Sequence, residues 1–382
     1  WRREARSAGR ASGFPLRDAA TMRAAGIVPS TSIYAGRQWV KLAVDSSGFY
    51  KVRFAELRNL ALFGGGTTTP LDSLRLYTWP GFPVLPEESY CDSCDYREVA
   101  MGFVESNANG LLDQNQEYLY FYARGASDWA SIYDPARPDT TFINHPYETT
   151  NYYYLTIGTP ALEESATAKR IKTESGDPAG ATGFEVTPAT FDARLHYEVD
   201  AQYWPNPWPN PRFDSDLFWE KWYWQNVEAG KPAFQTSAEA PGVDETQPSR
   251  LRMRAWGVTD LFFRKSFGIT DHYLDVTLNG QAFPRRNWNG LWAQTYDTTL
   301  VGLVSPSNTL SLRVPDIIDP NPDYDAQRVD VTALAWFDLF YARRFEPVAD
   351  ALSFDSPAAG GSYLYRIGPF SPGLGSPPRL FD

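Results

Sequence analysis

Proline and glycine punctuate this chain so densely that long helices are excluded. Thirty prolines and 28 glycines in 382 residues place a breaker about every six or seven positions. Proline removes a main-chain donor and clashes with the preceding helical turn, so only short regular segments survive. Those segments have a period of two. Trp39, Lys41 and Ala43 alternate with Val40, Leu42 and Val44, and the turn residues Asp45 to Gly48 then lead into Phe49–Val52. This pattern predicts a β-hairpin. Further strands are expected at Leu74–Tyr77, Glu98–Val104, Tyr118–Ala123 and Asn151–Ile157, with one short helix over Phe54–Leu62.

A second series of strands is expected at His196–Ala201, Leu251–Gly257, His272–Leu278, Thr309–Val314 and Val329–Tyr341. Leu251, Met253 and Ala255 alternate with Arg252, Arg254 and Trp256, which predicts one buried face and one wet face. Asn279-Gly280 is a two-residue hairpin signal. The expected fold class is all-β, with two successive antiparallel β domains, the second a β-sandwich or jelly roll. The boundaries read as a basic extended arm over 1–35, a first β domain over 36–158, a linker or edge excursion over 159–190, and the sandwich over 191–382.

The net charge of −11 argues against a nucleic-acid partner, which requires a basic face. No run of about 20 apolar residues occurs, so no transmembrane segment is expected. The chain starts at Trp1 without an apolar signal segment and stops at Asp382, so it is expected to be a mature or trimmed part of something longer.

The two cysteines, Cys91 and Cys94, sit in an acidic loop with Asp92 and Asp95. In an oxidising compartment they would close a small disulfide loop; free thiols are the alternative. A zinc site would need two more ligands nearby, and His145, His196 and His272 are scattered singly. The run Glu105–Glu117 sets side-chain oxygens at alternating positions around Gly110, so Asn107, Asn109 and Asp113 are candidate calcium ligands. Asparagine in place of carboxylate weakens that case, and an Asx-type turn explains the same residues without metal. No other cofactor is expected.

Two segments read as partner-binding candidates. Arg2, Arg3, Arg6, Arg10, Arg17 and Arg23 make residues 1–35 a basic arm, either a solvated leader or an arm that docks on a partner. Trp204 and Trp208 stand in a proline-rich aromatic run that continues to Phe218, Trp219, Trp222, Tyr223 and Trp224. That run fits packing beneath a stiffened loop, a protein contact, or a sugar-stacking platform. For catalysis the parts are missing. There is no Gly-x-Ser-x-Gly elbow or phosphate loop, and neighbouring acids lower the reactivity of Cys91 and Cys94 by raising thiol pKa.

Taken in order, several motifs resemble the non-catalytic N-terminal region of type IX secretion sortases, relatives of the gingipain-type cysteine peptidases. They are Gly36–Val52, Leu74–Tyr77, Leu85–Glu88, Asn109–Asp113, Tyr118–Gly125, Asn151–Thr156, Val329–Arg343 and the closing Tyr365–Gly368 with Arg379–Asp382. The resemblance implies a protein at the periplasmic or outer face of a diderm envelope, with β domains preceding a caspase-like peptidase. The chain stops where that peptidase would begin, so no catalytic residue is carried over and the chain as given is read as non-enzymatic. The expected function is protein–protein contact, possible partners including a membrane-protein complex. The alternatives are a structural accessory subunit of such an assembly and a carbohydrate-binding sandwich.

Overall fold

The computed structural model describes residues 37–79, 96–129, 142–145, 148–158, 167–172, 187–203, 222–260, 270–316, 329–355 and 363–371. They fall into two compact units, residues 1–176 and 177–382. Both units are built of antiparallel strands, so the chain is all-β. Among the described residues no helix is long and apolar enough to cross a membrane.

In chain order the first unit contains β1 (Val40–Val44), β2 (Gly48–Arg53), β3 (Thr69–Pro70), β4 (Leu74–Thr78), β5 (Arg97–Val99) and β6 (Gly102–Val104). These are followed by β7 (Leu111–Leu112), β8 (Tyr118–Ala123), β9 (Asp128–Trp129), β10 (Phe142–Ile143) and β11 (Asn151–Ile157). One sheet has the order β1-β11-β4-β5 and a second the order β2-β8-β6; β3-β7 and β10-β9 are two-stranded additions. Alternation supplies the core. Val44, Leu76, Tyr153 and Leu155 from the first sheet and Leu119 and Phe121 from the second belong to one buried cluster.

The expected hairpin over Val40–Val52 does not form. β1 pairs with β11 and β2 with β8, so the Asp45–Ser47 turn carries the chain from one sheet to the other. Alternation alone cannot distinguish these outcomes, because both place Leu42 and Val52 inward. Tyr50 holds the corner, its hydroxyl donating to Ser46 O at 2.8 Å. Likewise the single strand expected over Glu98–Val104 divides into β5 and β6, in different sheets, with Met101 wholly buried at the crossing.

The expected helix is shorter too. Helix α1 covers Phe54–Leu57, and a 3₁₀ turn follows at Ala61–Phe63 after Leu60 adopts an extended conformation. A continuous helix would turn Phe63 to the face opposite Phe54 at about 100° per residue. The break instead sets the two rings edge to face at 6.4 Å, both buried. Within the stretch read as a linker, Lys169 and Arg170 belong to the first unit. Glu98 accepts from Lys169 N at 2.9 Å and forms a buried ion pair with Arg75 at 2.9 Å.

The second unit contains β12 (Thr190–Glu198), β13 (Gln202–Tyr203), β14 (Trp222–Tyr223), β15 (Gln225–Glu228), β16 (Phe234–Glu239) and β17 (Ser249–Gly257). It continues with β18 (His272–Leu278), β19 (Gln281–Ala282), β20 (Arg286–Trp288), β21 (Ala293–Leu300), β22 (Ser307–Arg313) and β23 (Val331–Arg344). One sheet has the order β12-β23-β17-β21, with β15 also on β23; the other has β16-β22-β18-β19, with β20 also on β18. β17 and β18 bury every second residue, and Leu251, Met253, Phe337 and Leu339 join Leu274, Val276, Leu310 and Leu312 in one core.

Register explains the aromatic excursion. β12 ends opposite Trp336 and β15 begins opposite Leu334, so the two continue one line along the same edge of β23. Residues 199–224 are an insertion in that line, entered and left through β13 and β14. The Asn279-Gly280 turn forms as expected, both residues at positive φ, joining β18 to β19.

Gly257 marks the tightest approach in this sandwich. A Cβ there would lie 2.5 Å from His272 Nε2 and 2.6 Å from the Gly290 carbonyl oxygen. Overpacking of a buried backbone crossing costs about 1–3 kcal/mol. Gly257→Ala is therefore expected to lower the unfolding free energy measured by urea denaturation by that amount, whereas an unchanged value would show that the crossing relaxes freely.

Candidate functional site

The residues singled out in the sequence fall unevenly on the structure. Cys91, Cys94, the six arginines of the arm, Trp204 and Trp208 lie outside the described residues. The described parts of the aromatic run are packed. Tyr203 and Trp222 approach to 5.0 Å across β13 and β14, while Trp224 stacks on Phe337 at 5.7 Å inside the sandwich. Tyr223 is buried with Ala333 and Ala335 in a small second cluster beside Trp256 and Trp336.

The candidate calcium loop is organised by Glu117. This buried carboxylate accepts from the N–H groups of Ser106, Asp113 and Gln114 at 2.8, 2.8 and 2.9 Å, and from the Ser106 hydroxyl at 2.8 Å. Around it Asn109 donates to Asp113 at 2.8 Å and accepts from Leu111 N at 2.9 Å. Gly110 N donates to Glu105 at 2.7 Å. The structure thus brings Asn109 and Asp113 together through a hydrogen bond. Asn107 has no hydrogen bond to either of them. Among the described residues no group of three or more His, Cys, Asp or Glu side chains is placed to hold a metal ion.

A different constellation stands on the outward face of the sheet built on β23. Register aligns Arg252 of β17, Asp338 of β23 and His196 of β12 in one row. Asp338 is fully buried. Its Oδ2 accepts from Arg252 Nε at 2.9 Å and Nη2 at 2.6 Å, and its Oδ1 lies 2.6 Å from His196 Nδ1. His196 Nε2 lies 2.8 Å from Glu198 Oε2. With a carboxylate at each ring nitrogen, the imidazole can donate to both only as the imidazolium. Burial alone would lower the His196 pKa, but hydrogen bonds and charge from Asp338 and Glu198 outweigh it and raise the value above 6.5.

Aromatic rings close this row. The Arg252 guanidinium lies 5.3 Å from the Trp336 centroid and 5.4 Å from that of Phe340, and Arg250 lies 5.2 Å from Phe340. Arg250 also forms a two-point pair with Asp297 at 2.7 and 2.5 Å. On the face predicted to be wet, Arg250 and Arg252 are paired with carboxylates, and the Arg252 side chain is only 16% exposed. The outward arginines were visible in the alternation; their carboxylate and histidine partners were not. His272 is fully buried, with Nδ1 2.8 Å from Asp330 Oδ1, and its ring stacks on Trp288. Both ring nitrogens of His196 are engaged, while His272 Nε2 has no hydrogen-bond partner among the described residues but is wholly buried.

The fold can now be set beside known proteins. It is similar to a crystal structure of dimeric latent PorU from Porphyromonas gingivalis, with a TM-score of 0.58 at 16% identity. The likeness is one of fold. It covers 92% of this chain and 29% of that chain, so this chain spans under a third of the PorU length. A CBM36-1 domain of a multidomain xylanase from the hindgut metagenome of Trinervitermes trinervoides matches 38% of this chain and 96% of its own at 9% identity. The ANXUR1 extracellular domain from Arabidopsis thaliana matches 86% of both chains at 10% identity. Both have TM-scores of 0.24 and carry no weight. No protein-family model matches the chain, and neither does any curated protein sequence.

Two predictions follow from these polar clusters. Burial alone would raise the Glu117 pKa, but its four hydrogen bonds hold it at about 2. The stabilisation this gives is complete above the unfolded value near 4.5 and lost as pH falls through about 2. Glu117→Gln, which faces an amide toward N–H donors, should cost about 1–3 kcal/mol at neutral pH by urea denaturation.

The His196 row has the opposite sign. Its contribution is complete below the unfolded pKa of about 6.5 and declines as pH rises through the higher folded value. His196→Gln should flatten this alkaline decline in the stability profile. Asp338→Asn, which removes the buried charge that Arg252 and His196 share, should cost about 3–5 kcal/mol.

Proposed function

We propose that this chain is the non-catalytic β region of a type IX secretion-related protein and acts by protein contact at the periplasmic or outer face of a diderm envelope. The observation that carries this reading is the fold likeness to latent PorU across 92% of the chain. Type IX secretion sortases use such β domains ahead of a peptidase, as the sequence resemblance implies. The polar clusters of the second unit support a role without chemistry. His196 is held between two carboxylates, and His272 is sealed beside Asp330. A cofactor is not required in this reading. The Asn107–Asp113 turn is held by Glu117 through main-chain N–H groups, so added calcium or chelator should leave the melting temperature unchanged.

The decisive experiment is photo-cross-linking of the full chain in envelope preparations of its own bacterium, with a parallel peptidase assay of the purified chain. Cross-links to type IX secretion components and no peptide hydrolysis are the expected outcome. Adducts confined to unrelated proteins would overturn the contact reading. Turnover that disappears in Cys91→Ala or Cys94→Ala would overturn the non-enzymatic one.

A further inference from the structure

The outward face of the β2-β8-β6 sheet is basic although the chain as a whole is acidic. β2 presents Phe49, Lys51 and Arg53, all exposed, and β8 presents Tyr118, Tyr120 and Tyr122. Register sets Phe49 opposite Tyr122, Lys51 opposite Tyr120 and Arg53 opposite Tyr118. The outward positions of β6 are Gly102 and Val104, opposite Tyr120 and Tyr118. These outward positions therefore combine aromatic rings with two cations and no carboxylate, in a chain of net charge −11.

The face is also built to keep its rings in place. A Cβ on Gly102 would lie 2.1 Å from Tyr120 Cζ, so the glycine lets that ring lie down across β6. Lys51 Nζ sits 3.9 Å from the Tyr118 centroid, and Phe49 and Tyr122 meet edge to face at 5.4 Å. Even so, Phe49 remains 45% exposed and Tyr122 40% exposed. Neither is hidden by the fold.

We propose that this face is a docking surface for an acidic polypeptide segment of a partner protein. Charge complementarity selects the occupant. Lys51 and Arg53 attract carboxylates where the acidic body would repel them, and long-range attraction of this kind raises encounter rates. Ring geometry selects polypeptide over sugar. A row of stacked sugars needs rings that share a plane, but Phe49 and Tyr122 are inclined at 70° and Tyr118 and Tyr120 at 57°. Inclined rings leave ridges and notches into which side chains fit, and aromatic residues and arginine are enriched in protein contacts. The proposal rests on the contact reading above and adds the surface and the chemistry of the partner.

The test uses the full purified chain and a fluorescent random copolymer of glutamate and tyrosine as the acidic probe, followed by anisotropy. The copolymer should bind, and affinity should fall at least about tenfold between low and high salt. Lys51→Glu and the pair Phe49→Ser, Tyr122→Ser should each weaken binding about tenfold, with near-wild-type melting temperatures because these sites are exposed. Lys51→Gln, which removes only the charge, provides a second variant should the others unfold, and it too should weaken binding.

Failure of the copolymer to bind, or equal binding by all variants, would overturn the proposal. So would tighter binding to heparin, which would point to an anionic glycan, or to phosphatidylglycerol vesicles, which would point to a membrane. The envelope cross-linking fails independently. Intact cross-links without copolymer binding would remove this surface and leave the contact reading standing, whereas copolymer binding without such cross-links would do the reverse.

Discussion

The second unit depends on one buried carboxylate in the middle of its longest strand. β23 is paired along one edge by β12 and β15 and along the other by β17, so its main-chain groups are consumed in the ladder. Its inward residues Phe337, Leu339 and Tyr341 form the core. Asp338 points the other way and is nevertheless fully buried. An isolated carboxylate in that position would be costly, and only paired, hydrogen-bonded partners offset such a cost. Arg252 and His196 are those partners, delivered by the strands on either side. The row fixes three strands in register, because a slip of one residue would carry Arg252 or His196 to the opposite face.

That arrangement also shows where sequence reading succeeds and where it stops. The limits of Tyr118–Ala123, Asn151–Ile157 and His272–Leu278 coincide with the observed strands, since alternation bounded by turn residues is a local property. The Asn279-Gly280 turn is local too: two small-barrier positive-φ residues close it unaided. Pairing is not local. Val40–Val52 has the pattern of a hairpin, yet Leu42 finds Tyr153 and Val52 finds Leu119. The Asp45–Ser47 turn serves either course, and burial of distant strands decides between them.

The polar sites were even less legible. Glu198 stands two residues from His196, but Asp338 is 142 positions away, so nothing local announces that the ring will be held between two carboxylates. Glu117 stands at the edge of the loop in which Asn107, Asn109 and Asp113 drew attention as oxygen ligands. Its importance comes from burial, which turns an ordinary acidic residue into the acceptor for three main-chain donors. A buried carboxylate that accepts from backbone N–H groups draws the donors of a tight turn to a common centre. Composition names the donors and acceptors available; only the fold decides which of them meet.

The aromatic residues serve two different physical ends. In the second unit, Trp224 stacks on Phe337, which stacks on Tyr197, and Tyr223 and Trp256 extend the packing on the other side of the same sheet. Cohesion accounts for these rings, because each removes area from water. Cohesion does not account for Phe49 and Tyr122 of the first unit, whose edge-to-face contact leaves both substantially exposed. Cross-strand aromatic pairing would be served as well by rings with polar neighbours of either sign. What the bare stability argument leaves over is the basic character of that face on an acidic chain. The outward charges of the second unit are largely paired with one another, whereas Lys51 and Arg53 stand among rings on an exposed surface. That exposed, basic and aromatic surface on an acidic chain is the physical ground on which the proposed contact function rests.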